Sequence, residues 1–186
     1  GPPFCKYSYD EQNMALRNAS PSFDHWLGTD KMGRDIFVRI LFGARISLAV
    51  GCLAAVINLI VGTIYGGIAG YVGGKVDMIM MRVVDIIYSV PSMLYIVLIM
   101  LIFGASVVSI MLGISITCWI DMARIVRQQV KSLKEQEFTM AAFVLGASSS
   151  RILLKHLLIN TMGQIIVTVT LMVPQAIFTE AWLSFL

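Results

Sequence analysis

The sequence predicts an all-α, polytopic bundle of transmembrane helices, and three observations predict it. Of 186 residues, 58% are hydrophobic and only 13% are charged, where a soluble domain carries roughly 25% charged residues. The mean hydropathy is +0.81. The charges are clustered, leaving uncharged tracts at residues 46–74, 86–120 and 157–179. A crossing needs roughly 20 apolar residues, or about 17 at the least, so the first and third tracts hold one helix each. The middle tract, at about 1.5 Å per residue, is too long for one crossing, and Phe103-Gly104-Ala105-Ser106 offers a turn inside it. Four spans are therefore expected. Residues 1–45 read as an extracytoplasmic segment, and residues 46–186 as a transmembrane domain with a cytoplasmic loop at 124–160.

Several classes are disfavoured at the outset. Cys5, Cys52 and Cys118 are scattered and the chain has two His, so neither a metal site nor a disulfide framework is supported. The net charge of +3 is too small to suggest nucleic acid. The polar start, residues 1–22, lacks the basic-then-apolar pattern of a signal peptide.

In the first segment Thr29-Asp30 can cap a helix. Ile36, Phe37, Ile40, Leu41 and Ala44 then recur at helical spacing opposite Arg34, Asp35 and Arg39. That pattern describes an amphipathic helix on the bilayer surface ahead of the first span. The first span carries Gly62, Gly66 and Gly70 at four-residue spacing, a stripe that lets another helix approach closely. Gly73-Gly74-Lys75 invites comparison with a phosphate-binding loop, but Ala69 and Val76 stand where that loop needs Gly and Ser or Thr. Any ATP used must be bound by a partner.

The second span starts near Met78, with Arg82 and Asp85 placed to pair locally. Pro91 should kink it, as a hinge or as a shape adjustment. Met78, Met80, Met81, Met93 and Met100 read as adaptable packing. The third span runs from about Ser106 into Arg127. Asp121 lies toward its end near Trp119, at helical spacing from Arg124 and Arg127. The last span, from about Asn160 to Thr179, holds Pro174 and Gln175, which suit a kinked end lining a cavity or an ordinary interface terminus. Arg124, Arg127, Lys131, Lys134, Arg151 and Lys155 outnumber Asp121, Glu135 and Glu137 between the third and last spans, which places that loop in the cytoplasm. Residues 1–45, with six basic and five acidic residues, then fall outside.

Residues 137–160, EFTMAAFVLGASSSRILLKHLLIN, are the least membrane-like patterned stretch. A short helix reads from Phe138 to Leu145, Gly146 turns the chain, and Ser148-Ser149-Ser150 can cap a second helix that leads into the last span. The alternative is an interfacial helix that merely joins two spans.

This stretch resembles the EAA motif of permease subunits of ABC importers, and the chain resembles the dipeptide/oligopeptide (and nickel) permease group. The resemblance rests on His25-Trp26-Leu27-Gly28-Thr29-Asp30, Gly33-Arg34-Asp35, Gly43-Ala44-Arg45-Ile46-Ser47-Leu48 and Gly70-Tyr71-x-Gly73-Gly74. It continues in Asp77, Met81-Arg82, Asp85, Ala123-Arg124-x-x-Arg127 and Leu183-Ser184-Phe185-Leu186. Met140 stands at the motif's Glu position, with Glu137 one turn earlier, and Ile159 replaces the usual Pro.

The resemblance implies a type I ABC importer permease fold in a bacterial or archaeal cell membrane, with about four of six expected spans in a fragment. It implies cytoplasmic ATPase subunits that carry Mg-ATP, with no cofactor bound by this chain. It also implies a second homologous permease and an extracytoplasmic substrate-binding protein that meets residues 20–45 and 180–186. Glu137, Met140, Ala141, Ala142, Gly146 and Arg151 would form the ATPase-coupling element, with Ala141, Ala142 and Gly146 as the close contact and Arg124 and Arg127 in support. The cargo would be short peptides. Nickel-chelate or glutathione-like cargo, an ion-coupled carrier without an ATPase and a membrane scaffold are the competing readings.

Overall fold

The computed structural model describes residues 6–183, which divide into two compact units between residues 49 and 50. Cys5 and all but the first residue of Leu183-Ser184-Phe185-Leu186 lie outside the described residues.

The first unit is built around two aspartates. Asp30 accepts from the amides of Met32 at 2.8 Å and Arg34 at 3.0 Å and pairs with the guanidinium groups of Arg34 and Arg39. Desolvation opposes the Asp30 charge, but those amides and the Arg34 guanidinium outweigh it and lower its pKa to about 2. The turn this makes, closed by Gly33 at φ 70°, prevents a helix from starting at Asp30. The cap is instead Asp35, whose carboxylate accepts from the Val38 amide at 2.9 Å. The other Asp35 oxygen lies 2.7 Å from Nδ1 of buried His25, on which Tyr7 stacks.

Helix α1 (Ile36–Val72) runs 37 residues from that cap. The separate surface helix expected over residues 36–44 is thus its first turns. No proline falls between residues 36 and 72 to end it. A π-turn at Asn58–Gly62 is its one irregularity. Next come α2 (Gly74–Tyr88) and α3 (Ser92–Phe103), which meet at a 70° bend. Pro91 has no N–H to carry the helix across, so the kink expected inside a span becomes a full break.

Helices α4 (Val107–Thr117) and α5 (Ile120–Lys134) follow, separated by Cys118 and Trp119. Ser106 caps α4, accepting from the Ser109 amide. Then come short α6 (Glu137–Val144) and α7 (Ser149–Leu183), the latter with a π-turn at Ile152–Leu157 and Pro174 inside it. Among the described residues, three helical runs are long and apolar enough to cross a membrane: α1, α4 with α5, and α7. The bent α2–α3 pair makes a fourth if it counts as one span.

Within the second unit the glycine stripe of α1 lies on α5. A Cβ on Gly62 would meet Met122 Cβ at 2.6 Å and the Trp119 carbonyl at 2.8 Å, and one on Gly70 would meet the Arg127 carbonyl at 2.7 Å. A Cβ on Gly66 would strike the Ala123 carbonyl. Hydrocarbon offers little hydrophobic drive for two helices to associate, so main-chain approach of this kind supplies the packing. Beside it Met122, Val126, Val130, Ala142, Ile152, Leu157 and Ile165 form a buried core joining α5, α6 and α7.

Candidate coupling element

The short helix α6 is set by its two ends. At the start, Thr139 folds back on α5, donating its hydroxyl to the Leu133 carbonyl at 2.8 Å. At the finish, the Gly146 amide donates to the Phe143 carbonyl at 3.0 Å and the Ala147 amide to the Ala142 carbonyl at 3.1 Å. These are the two bonds of a Schellman stop, which needs a left-handed residue just past the helix. Gly146 has φ 80°, which glycine adopts without steric cost.

This arrangement separates the Ala141–Ala142 pair. Ala142 is buried in the chain's own core, with Ala147 packed against the same cluster, whereas Ala141 is exposed. The small side chain of Ala142 is therefore explained by the core it enters, and Gly146, four residues later, by the turn. The outward surface is apolar: Phe143 is 69% exposed, Val144 84% and Leu145 86%, with Phe138 and Met140 also exposed. Glu137, Gly146 and Arg151 are exposed beside it. Ser148 caps α7, accepting from the Arg151 amide. Sequence reasoning missed Phe143, Val144 and Leu145 because an apolar residue in an apolar chain carries no signal of its own. The stop at Gly146 could have flagged them, since the residues just before it point away from the core.

Behind α6, the end of α5 is anchored. Lys134 donates to the Tyr71 carbonyl at 2.6 Å and lies over the Tyr71 ring. A groove of about 470 Å³ runs between Tyr71, Val72, Lys134, Met140 and Phe143.

Further along α5, Arg124, Arg127 and Lys131 face α2. Arg127 grips Asp77 with two nitrogens, Nε on one carboxylate oxygen and a terminal nitrogen on the other at 2.6 Å, and Lys131 approaches the latter at 3.5 Å. Asp77 is buried. Arg124 reaches Asp85 at 2.9 Å and covers the Tyr88 ring. The expected local pairs, Arg82 with Asp85 and Asp121 with Arg124 or Arg127, are replaced by these bonds between helices. A planar guanidinium that can take both oxygens of a carboxylate outcompetes a pair along one helix. Arg124 and Arg127 thus brace the stem of the element. Their match was latent in the spacing: the two aspartates on α2 lie two turns apart, as do Arg124 and Lys131 on α5.

A family model described as "Binding-protein-dependent transport system inner membrane component" matches residues 62–186. The chain is 51% identical over 185 residues to the oligopeptide transport system permease protein OppC of Bacillus subtilis, covering 100% of this chain and 61% of that protein. It is 48% identical over 186 residues to the dipeptide transport system permease protein DppC of the same organism, covering 100% and 58%. It is 43% identical over 187 residues to the oligopeptide permease OppC of Escherichia coli K12, covering 100% and 62%. The chain therefore spans about three fifths of the length of these curated relatives.

Proposed function

Because the chain belongs to the family of binding-protein-dependent transport system inner membrane components, we propose that it is part of a permease subunit of an ATP-driven importer of short peptides. The observation that carries this reading is α6. It is a short helix stopped by Gly146, anchored inward through Thr139 and Ala142, and presenting Phe143, Val144 and Leu145 outward. A surface so apolar on so short and rigid a projection suits a cleft on a cytoplasmic ATPase subunit. Peptide cargo is supported by relatives whose names are oligopeptide and dipeptide permeases.

ATP is assigned to the partner subunits, since residues 69–76 lack the Gly and the Ser or Thr of a phosphate loop. The remaining partners are a second permease, which would cover part of the exposed apolar flank of the helices, and an extracytoplasmic binding protein. Closure of the ATPases pulls on α6. The Arg124–Asp85 and Arg127–Asp77 bonds and the glycine seam pass that movement to α2 and α1 as rigid elements. Such movement shifts the permease only if α6 is held differently in the two states.

The test is co-purification of the native complex with its ATPases, followed by uptake of a tripeptide into sealed vesicles. Uptake should require ATP and the binding protein. Uptake that persists in ATP-depleted vesicles under an ion gradient overturns the reading in favour of an ion-coupled carrier.

A further inference from the structure

The 70° break between α2 and α3 opens a cavity of about 520 Å³. Its polar lining comes from three places: Ser89 and Ser92 at the break, Thr117 and Asp121 at the α4–α5 joint, and Gln175 and Thr179 on α7. Asp121 is the only charged side chain lining the cavity among the described residues, and it makes no ion pair among them. Arg124, the nearest cation along the helix, is committed to Asp85 and to the face of Tyr88. At the Pro91 break α2 ends and α3 begins, which places main-chain groups without intrahelical partners at the cavity wall. A cavity that offers donors and acceptors of both kinds and one uncompensated carboxylate fits an amide-rich ligand with a positive end.

Resting on the importer reading above, we propose that this cavity is a peptide subsite in which Asp121 receives the α-ammonium group of the passing peptide. The serine, threonine and glutamine side chains and the helix-end amides and carbonyls bond the first peptide units. The Asp121 carboxylate favours a charged amine over a neutral one, because only the charged group answers its charge. The volume lies within the ordinary range for small-ligand sites, about 300–1,000 Å³.

The experiment uses the detergent-solubilised native complex without its binding protein, so that the binding protein's own selectivity does not enter. Equilibrium binding of radiolabelled trialanine is measured alongside competition by unlabelled trialanine and N-acetyl-trialanine. In the wild type the acetylated peptide should compete roughly tenfold or more weakly. Asp121→Asn should weaken trialanine binding by a similar factor and abolish the preference. Equal competition by the two peptides in the wild type, or wild-type affinity in Asp121→Asn, overturns the subsite. If Asp121→Asn fails to assemble, the wild-type competition decides alone. ATP-driven trialanine uptake by the wild type is run in parallel. If that uptake is present while the binding results are negative, the subsite alone falls; if it is absent, the importer reading falls and takes the subsite with it.

Discussion

The Ala123 carbonyl on α5 occupies the place where a side chain on Gly66 of α1 would begin. Main chain lies on main chain there, and no rotamer change can relieve an added methyl. Gly66→Ala should therefore destabilise the solubilised protein by about 1–3 kcal/mol, and Gly66→Val by more. Gly163→Ala is the matched control. Nothing lies within 4 Å of its added methyl, and in a helix the change should be neutral or stabilising by up to about 1 kcal/mol. Thermal unfolding in detergent measures both, and equal effects at the two positions would sink the interpretation.

Asp77 and Asp85 both face α5, yet they should not matter equally. Asp77 is buried under Arg127 and Lys131, so Asp77→Asn leaves a guanidinium without its carboxylate and should cost about 2–3 kcal/mol. The Asp85 side chain is 56% exposed, so Asp85→Asn should cost under about 1 kcal/mol. Exchanging the charges, Asp77→Arg with Arg127→Asp, should recover part of the loss. Chemical unfolding of the three variants provides the comparison.

At the candidate coupling element, inward anchoring and the proposed outward contact should separate by mutation. Ala142→Leu overfills the core behind α6 and should lower permease stability by about 1–3 kcal/mol. Val144→Asp and Leu145→Asp touch no core and should leave stability within about 0.5 kcal/mol, while reducing recovery of the ATPase subunits at least tenfold. Gly146→Val meets nothing within 4 Å but must hold φ near 80°. It should cost roughly 1–2 kcal/mol and impair ATP-driven uptake. Pull-down yield and unfolding, measured on the same preparations, test this division.

The Asp30 turn should be acid-sensitive. Its folded pKa is about 2 against an ordinary value of 3.8, so the folded form binds its proton less readily than the unfolded form does. The stability it contributes is complete above about pH 4 and is lost as the pH falls through roughly 2. Fluorescence of a variant retaining only Trp26, which packs on Phe37 in the same unit, should report opening in that window. Asp30→Asn should remove the transition.

Composition and charge clustering made the spans legible, because a membrane imposes length and polarity on every crossing. The α6–Gly146–α7 element was legible because helix stops and caps depend on local residue types such as Gly146 and Ser148. Partner choice was not. Arg124 could have met Asp121 one turn earlier on its own helix, and only the tertiary placement of α2 brings Asp85 within its reach. The start of α1 failed for a related reason: Asp30 and Asp35 are both good caps, and Gly33 decides between them by turning the chain. The small pair Ala141–Ala142 looked like one surface, although neighbouring residues on a helix point about 100° apart.

The π-turn at Asn58–Gly62 has a geometric consequence for the helix that contains it. Gly51 and Gly62 are close to three whole turns apart at about 3.6 residues per turn, so an unbroken α-helix would aim both at the same neighbour. They address different ones: Gly51 lies against Val173 and Ile177 of α7, and Gly62 against Met122 of α5. The extra residue accommodated in the wider turn swivels the two halves of α1, so that one rod serves two seams. Deleting a residue there would straighten the helix and leave one seam facing away from its partner, even though every side chain that forms it were still present.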